Sequence, residues 1–162
     1  MKSKLVILRG KPTSGKTTAF HTLKKRKELK DWIFIDFPKI KDKVGKEKGK
    51  LKLMEKIKKA MKTGESILIE EMSKETLNKY LSKEIKDCGY KIIIFQFEVS
   101  LDEAYKRDVK RAKDKWHPFM GKKQVDELHK MHEERFDEEA VLVDCNKLNK
   151  KEVVEFILKK LK

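Results

Sequence analysis

Eight consecutive residues, Gly10-Lys11-Pro12-Thr13-Ser14-Gly15-Lys16-Thr17, combine the groups needed to hold a polyphosphate. Gly10 and Gly15 let the backbone turn tightly and present N–H groups to an anion. Lys16 offers a mobile point charge for β- and γ-phosphates. The Thr17 hydroxyl suits Mg²⁺, which bridges phosphate oxygens. The spacing fits G-x-x-x-x-G-K-[ST] at every fixed position. A helix starting at Lys16 adds the unsatisfied N–H groups of its first turn, through Thr18, and the positive end of its dipole. Gly10 to Thr18 are therefore the candidate nucleotide-binding residues, with ATP and Mg²⁺ as expected ligands.

Four further positions carry candidate chemistry. Asp36 ends a short apolar run, at the edge where open α/β sheets bind ligands. A carboxylate there can take the proton of a substrate hydroxyl, or merely cap a loop. Ser66-Ile67-Leu68-Ile69-Glu70-Glu71 is an apolar run ending in acid, the arrangement that holds or orients the Mg²⁺ shell. Glu70 and Glu71 point to opposite faces of a strand, so only one of them faces the metal, and the spacing leaves open which. Arg107 and Arg111, four apart, share a helical face and can clamp phosphates during transfer. Only five of the 42 basic residues are arginine, so Arg at this pair points to bidentate geometry. Pairing with Glu103 or Asp108 is the alternative there. Asn146 follows a strand end on the side where an adenine would lie.

These residues need elements to position them. Lys4–Arg9 reads as a buried strand before the loop, and Lys16 to about Lys30 as the helix after it. Asp31–Pro38 is the second strand, stopped by Pro38. Lys39–Lys50, rich in lysine with Gly45 and Gly49, reads as a solvated connector. Leu51, Leu53, Met54, Ile57, Ala60 and Met61 recur at helical spacing, and Gly64 ends that helix. A helix over Lys74–Lys86, a strand over Lys91–Val99 and a helix capped by Ser100 follow. Lys113–Gly121 breaks the pattern, Gln124–Phe136 resumes it as helix, Ala140–Asp144 is the fifth strand, and a last helix closes the chain.

The 162 residues suit a single domain, residues 1–162. Recurrent apolar runs exclude a disordered chain. The net charge of +15 fits either a polyanionic partner or a lysine-rich genome or habitat. Two cysteines exclude a disulfide framework. His129 and His132 read as a surface helix face rather than a metal site. No apolar run is long enough for a membrane span, no protein partner is implied, and the expected location is cytoplasmic.

The whole chain resembles the small P-loop kinases related to polynucleotide 5′-kinase, zeta toxin and gluconate kinase. Gly10–Thr17 matches their Walker A loop. Arg107-Asp108-Val109-Lys110-Arg111 resembles the lid signature R-[ND]-x-x-R of the polynucleotide kinase branch. Asp36 is similar in placement to that branch's general base. The resemblance implies a three-layer α/β/α fold with five parallel strands in the order 2-3-1-4-5. It also implies a helical lid near residues 106–124 and a substrate-side basic helical segment near 39–63. Glu70-Glu71-Met72-Ser73 departs from the usual Asp-x-Thr-Asn, and after Asp36 stand only lysines where polynucleotide kinases often carry an arginine. The expected activity is transfer of the γ-phosphate of ATP to a hydroxyl acceptor. A 5′-hydroxyl nucleic acid end, RNA foremost, is favoured. A small-molecule kinase and a nucleotide-hydrolysing switch are the alternatives.

Overall fold

In a computed structural model, β1 (Lys4–Gly10) is buried on both faces and lies at the centre of the sheet. The structure describes residues 3–72, 83–85, 87–111, 119–133 and 139–162. Five parallel strands run in the order β2-β3-β1-β4-β5, with β2 at Ile33–Asp36, β3 at Ile67–Glu70, β4 at Lys91–Glu98 and β5 at Val141–Asp144. Continuous Leu, Val and Ile runs suit strands covered on both sides.

Alternate residues feed two cores. Val6, Leu8 and Leu68 face a layer holding α1 (Lys16–Leu23) and the C-terminal helix α6 (Lys150–Leu161), with Phe20, Leu23, Ile157 and Leu158 filling it. Leu5, Ile7, Ile67 and Ile69 face the opposite layer, where α3 (Lys46–Thr63) supplies Leu53, Ile57 and Ala60. Between β4 and β5 lie α4 (Leu101–Arg111) and α5 (Lys122–Glu133), tied by the Tyr105 hydroxyl, which donates to Asp126.

Three expectations are corrected. The connector over Lys39–Lys50 is helical: α2 spans Phe37–Val44 and α3 begins at Lys46, with Gly45 at φ 80° between them. Asp36 caps α2 and Pro38 occupies its first turn, where a missing N–H costs nothing. The first helix is shorter than expected, ending at Leu23, and a 3₁₀ turn follows over Lys27–Leu29. Of the helix expected over Lys74–Lys86, residues 83–85 are helical and the rest lies outside the described residues, as do residues 112–118 of the lid segment and 134–136 of the Gln124–Phe136 helix.

Gly10 sits where β1 meets β4. A Cβ there would lie 2.1 Å from the Phe97 carbonyl oxygen, at a backbone φ of +136°. Gly10→Ala is therefore expected to destabilise the fold by about 3 kcal/mol or more, measured by urea unfolding. A loss under about 1 kcal/mol would contradict this close packing.

Candidate active site

The loop between β1 and α1 is wound by Thr13 at φ 59° and Gly15 at φ 94°. Its end delivers Lys16 and Thr17 to the first turn of α1. The Lys16 ammonium is turned back on the loop, donating to the carbonyls of Gly10 (2.8 Å) and Lys11 (3.0 Å). Burial pushes its pKa below the usual lysine value; the nearby Glu71 and Glu70 oppose that shift, and the Arg111 charge adds to it. Arg111 thus stands within electrostatic reach of the phosphate-loop lysine.

The register of the sheet sets the two glutamates in different surroundings. Glu70 shares a face with Leu68, toward α1, and its Oε1 accepts from the Thr17 hydroxyl. Glu71 turns away at φ 62°; its N–H donates to the Leu8 carbonyl (2.8 Å) and its carboxylate pairs with Lys41 (3.3 Å). Glu70 is 2% exposed and its Oε2 has no hydrogen-bond partner. Burial raises its pKa, against the Thr17 hydrogen bond and with a further push from Asp36. The Thr13 and Ser14 hydroxyls are likewise buried without partners. Mg²⁺ takes hard oxygen donors, one or two from protein and the rest from water and phosphate. Thr17 and Glu70 fit that set, and the unpartnered Oε2 is an acceptor left over for it or for its waters.

Asp36 is the register partner of Glu70 on the neighbouring strand. Its Oδ1 accepts from the Lys39 N–H (2.9 Å), so the capping role is real. The same side chain stands at the C-terminal edge of β2, beside Glu70. Capping occupies one oxygen and places the carboxylate.

Arg107 lies deeper than a mobile clamp. Its guanidinium donates to the Cys145 carbonyl (2.8 Å) and to the Thr13 and Ser14 carbonyls (3.3 and 3.4 Å), while Nε pairs with Glu103 (2.8 Å). It therefore joins the phosphate loop to the loop after β5. Arg107→Ala is expected to raise the nucleotide KM about tenfold and lower Tm by about 4 °C. Arg111→Ala is expected to lower kcat about 10²-fold at an unchanged Tm. Steady-state kinetics with thermal melting separate the two, and identical profiles would refute the division.

Lys11 also serves the scaffold. Its N–H donates to the Phe97 carbonyl (3.1 Å), and its ammonium pairs with Glu98 (3.0 Å) and Glu133 (3.3 Å). Pro12, beside it, contributes turn geometry. Asn146 accepts from the Ser100 N–H (2.9 Å) and pins the start of α4 to the loop after β5.

Sequence reasoning missed two supporting groups. Gln96 bridges Arg9 Nε and Glu98 (both 2.9 Å), forming a polar chain under the loop that ends at Lys11. The signal was the polar alternation closing an otherwise apolar β4. Asp108, 2% exposed, accepts from the N–H groups of Met120 (3.1 Å) and Gly121 (2.9 Å), fastening the entry to α5. His129, expected on a surface face, is instead buried, and burial lowers its pKa.

Known structures share this fold. The chain is similar to a candidate kinase from Chloroflexus aurantiacus, with a TM-score of 0.71 at 15% identity over 99% of this chain and 96% of that one. It is similar to a gluconokinase from Sinorhizobium meliloti, with a TM-score of 0.62 at 16% identity over 99% and 91% of the two chains. It also matches a chain of the Pnkp1/Rnl/Hen1 RNA repair complex, with a TM-score of 0.64 at 19% identity over 86% of this chain and 48% of that one. No protein family and no curated protein matches the sequence. The parallel sheet ordered 2-3-1-4-5, with the phosphate loop after β1, is the P-loop kinase fold.

Proposed function

We propose that this protein is a phosphotransferase that moves the γ-phosphate of ATP to the 5′-hydroxyl of a nucleic acid end, RNA foremost. The observation that carries the reading is the row Asp36, Glu70, Thr17: two carboxylates in register on adjacent strands, the second hydrogen-bonded to the phosphate-loop hydroxyl. On this reading Asp36 serves the acceptor and Glu70 the metal. The loop N–H groups, Lys16 and Arg111 hold the triphosphate. Bound Mg²⁺, on Thr17 and Glu70, would neutralise phosphate charge. Asp36 accepts the proton as the acceptor oxygen bonds to the γ-phosphorus; the bond to the β,γ-bridging oxygen breaks, and ADP leaves.

For the acceptor, the support is the +15 charge and the lysines of α2 and α3 beside Asp36. The likeness to the RNA repair chain agrees with it. The likeness to gluconokinase favours a second reading, a small-molecule kinase acting through the same residues. A transfer assay with γ-labelled ATP, Mg²⁺, 5′-hydroxyl RNA, 5′-hydroxyl DNA and a pool of sugars and nucleosides discriminates them. Label is expected on the RNA end, with activity falling steeply as salt rises. Asp36→Asn keeps a competent helix cap and should lose about 10²–10⁴-fold in transfer. Label confined to the small-molecule pool would replace the first reading by the second. ATP turnover without any transfer, unaffected in Asp36→Asn, would mark a hydrolysing switch.

A further inference from the structure

The entry to the phosphate loop rests on a chain of polar side chains. Arg9 and Gln96 are register partners on β1 and β4, and Glu98, two residues beyond Gln96, keeps to the same face of β4. Arg9 Nε donates to Gln96 Oε1 (2.9 Å), and Gln96 Nε2 donates to Glu98 Oε1 (2.9 Å). The other Glu98 oxygen pairs with the Lys11 ammonium (3.0 Å), which also pairs with Glu133 on α5 (3.3 Å). Lys11 follows Gly10 directly, inside the loop proposed to take a triphosphate.

Two carboxylates therefore stand beside a site for a polyanion. The Lys11 and Glu98 side chains are 13% and 21% exposed, so water screens their charges poorly. An uncompensated carboxylate there would repel phosphate. Burial works against the Lys11 charge, yet Glu98 and Glu133 lift its pKa above the usual lysine value. His129, one turn before Glu133 on α5, is buried, and its Nε2 has no hydrogen-bond partner. Burial, and then the Lys11 charge, lower its pKa, while Glu133, Glu98 and Asp126 oppose the shift. It is neutral at pH 7 and supplies no charge to offset the carboxylates. The Lys16 ammonium, by contrast, is held by two backbone carbonyls. Hydrogen bonds to a carbonyl are weaker than those to a carboxylate, so Lys16 is released to a phosphate at less cost than Lys11.

We propose that Lys11 is a positioning residue for the nucleotide: its ammonium stays on Glu98 and Glu133 when ATP binds, cancels their repulsion of the phosphates and ties the loop to β4 and α5. The inference rests on the ATP-binding reading of this loop and deepens it. Two lysines five positions apart divide the work, Lys16 touching phosphate and Lys11 acting through the carboxylates. Loss of the Lys11 charge costs affinity because Glu98 is left unpaired, and removing the Glu98 charge as well recovers it.

The test is a double-mutant cycle on the full-length chain: wild type, K11M, E98Q and K11M/E98Q, each titrated with ATP and Mg²⁺ and melted without ligand. K11M should weaken ATP binding at least about tenfold. The gain in ATP affinity from E98Q should be at least about fivefold larger in the K11M background than in wild type. K11R, which keeps the charge for both pairs, should bind ATP within about threefold of wild type. K11Q is carried through the same cycle, so that loss of the fold in one variant leaves the other to decide. Equal effects of E98Q in both backgrounds mean that the two residues act independently, as a direct contact of Lys11 with phosphate requires, and overturn the proposal. K11M binding ATP as tightly as wild type also overturns it, as does coupling that shows in the melting temperatures and not in ATP binding. If wild type binds no ATP, the nucleotide reading falls and this inference with it. An additive cycle in a chain that binds ATP sinks this inference alone.

Discussion

Lys16→Met is expected to reduce phosphoryl transfer about 10³-fold while shifting the melting temperature of the ligand-free protein by less than about 4 °C. The asymmetry follows from where the ammonium sits. In the ligand-free loop it donates to two carbonyls, those of Gly10 and Lys11, yet it is half-buried and its charge is desolvated. Each such hydrogen bond is worth about 1–3 kcal/mol net, and the desolvation of the charge opposes it. Methionine keeps the stem's packing and removes both terms. The sign with pH is fixed by the direction of the shift. The native lysine has a pKa below 10.5, so between that lowered value and 10.5 the unfolded chain holds the proton more tightly. The contribution of Lys16 to stability therefore rises with pH across that window, and the difference between wild type and Lys16→Met should show it. Melting curves at several alkaline pH values, beside a transfer assay, check both halves. A collapse of the ligand-free fold in Lys16→Met would mean that the lysine is structural.

The second large effect is at Glu70. Glu70→Gln is expected to raise the ligand-free Tm by about 2–4 °C at neutral pH and to lower transfer about 10²–10³-fold. Ionised Glu70 is buried, with one oxygen on Thr17 and the other unpartnered. Glutamine keeps an acceptor for Thr17 and removes the charge. Because burial raises the native pKa above 4.5, protonation favours the folded state. The stabilisation from this group is complete below 4.5 and is lost as pH climbs through the raised value. The variant should lack that decline. It should also lose the extra thermal stabilisation that ATP with Mg²⁺ gives over ATP with a chelator. A destabilised Glu70→Gln that still responds to Mg²⁺ would refute the assignment. The buried charge of the residue is thus held at a cost to the fold that the proposed metal would offset.

Much of this was legible in the chain because it depended on local pattern. The phosphate loop declares itself in eight residues, and the strands are apolar runs bounded by turns. What local pattern could not reach depended on register and on distant contacts. Glu70 and Glu71 are indistinguishable in sequence. Pairing of β3 with β1 and β2, and the turn at Glu71, aim the first at Thr17 and the second at Lys41. Arg107 reads as a phosphate clamp from its helical spacing, but its hydrogen bonds reach back to Thr13 and Ser14, more than ninety positions away. The segment Lys39–Lys50 read as a connector because lysines outnumber its apolar residues. Phe37, Ile40 and Val44 alone mark the inward face of α2. The cap at Asp36 with Pro38 after it is a helix-start signal, and in sequence the same proline serves equally well as a strand stop.

The placement of α2 and α3 has a consequence for how such a protein can change. Both helices lie in the single crossover from β2 to β3, while the phosphate loop, α1, Glu70 and the two arginines are carried by other segments. On the proposed reading, the lysines beside Asp36 can therefore be exchanged by substitutions within residues 37–63, leaving the groups proposed to hold ATP untouched. Evolution or engineering could redirect this scaffold to a new acceptor through one contiguous stretch of gene, with Asp36 as the fixed point at its border.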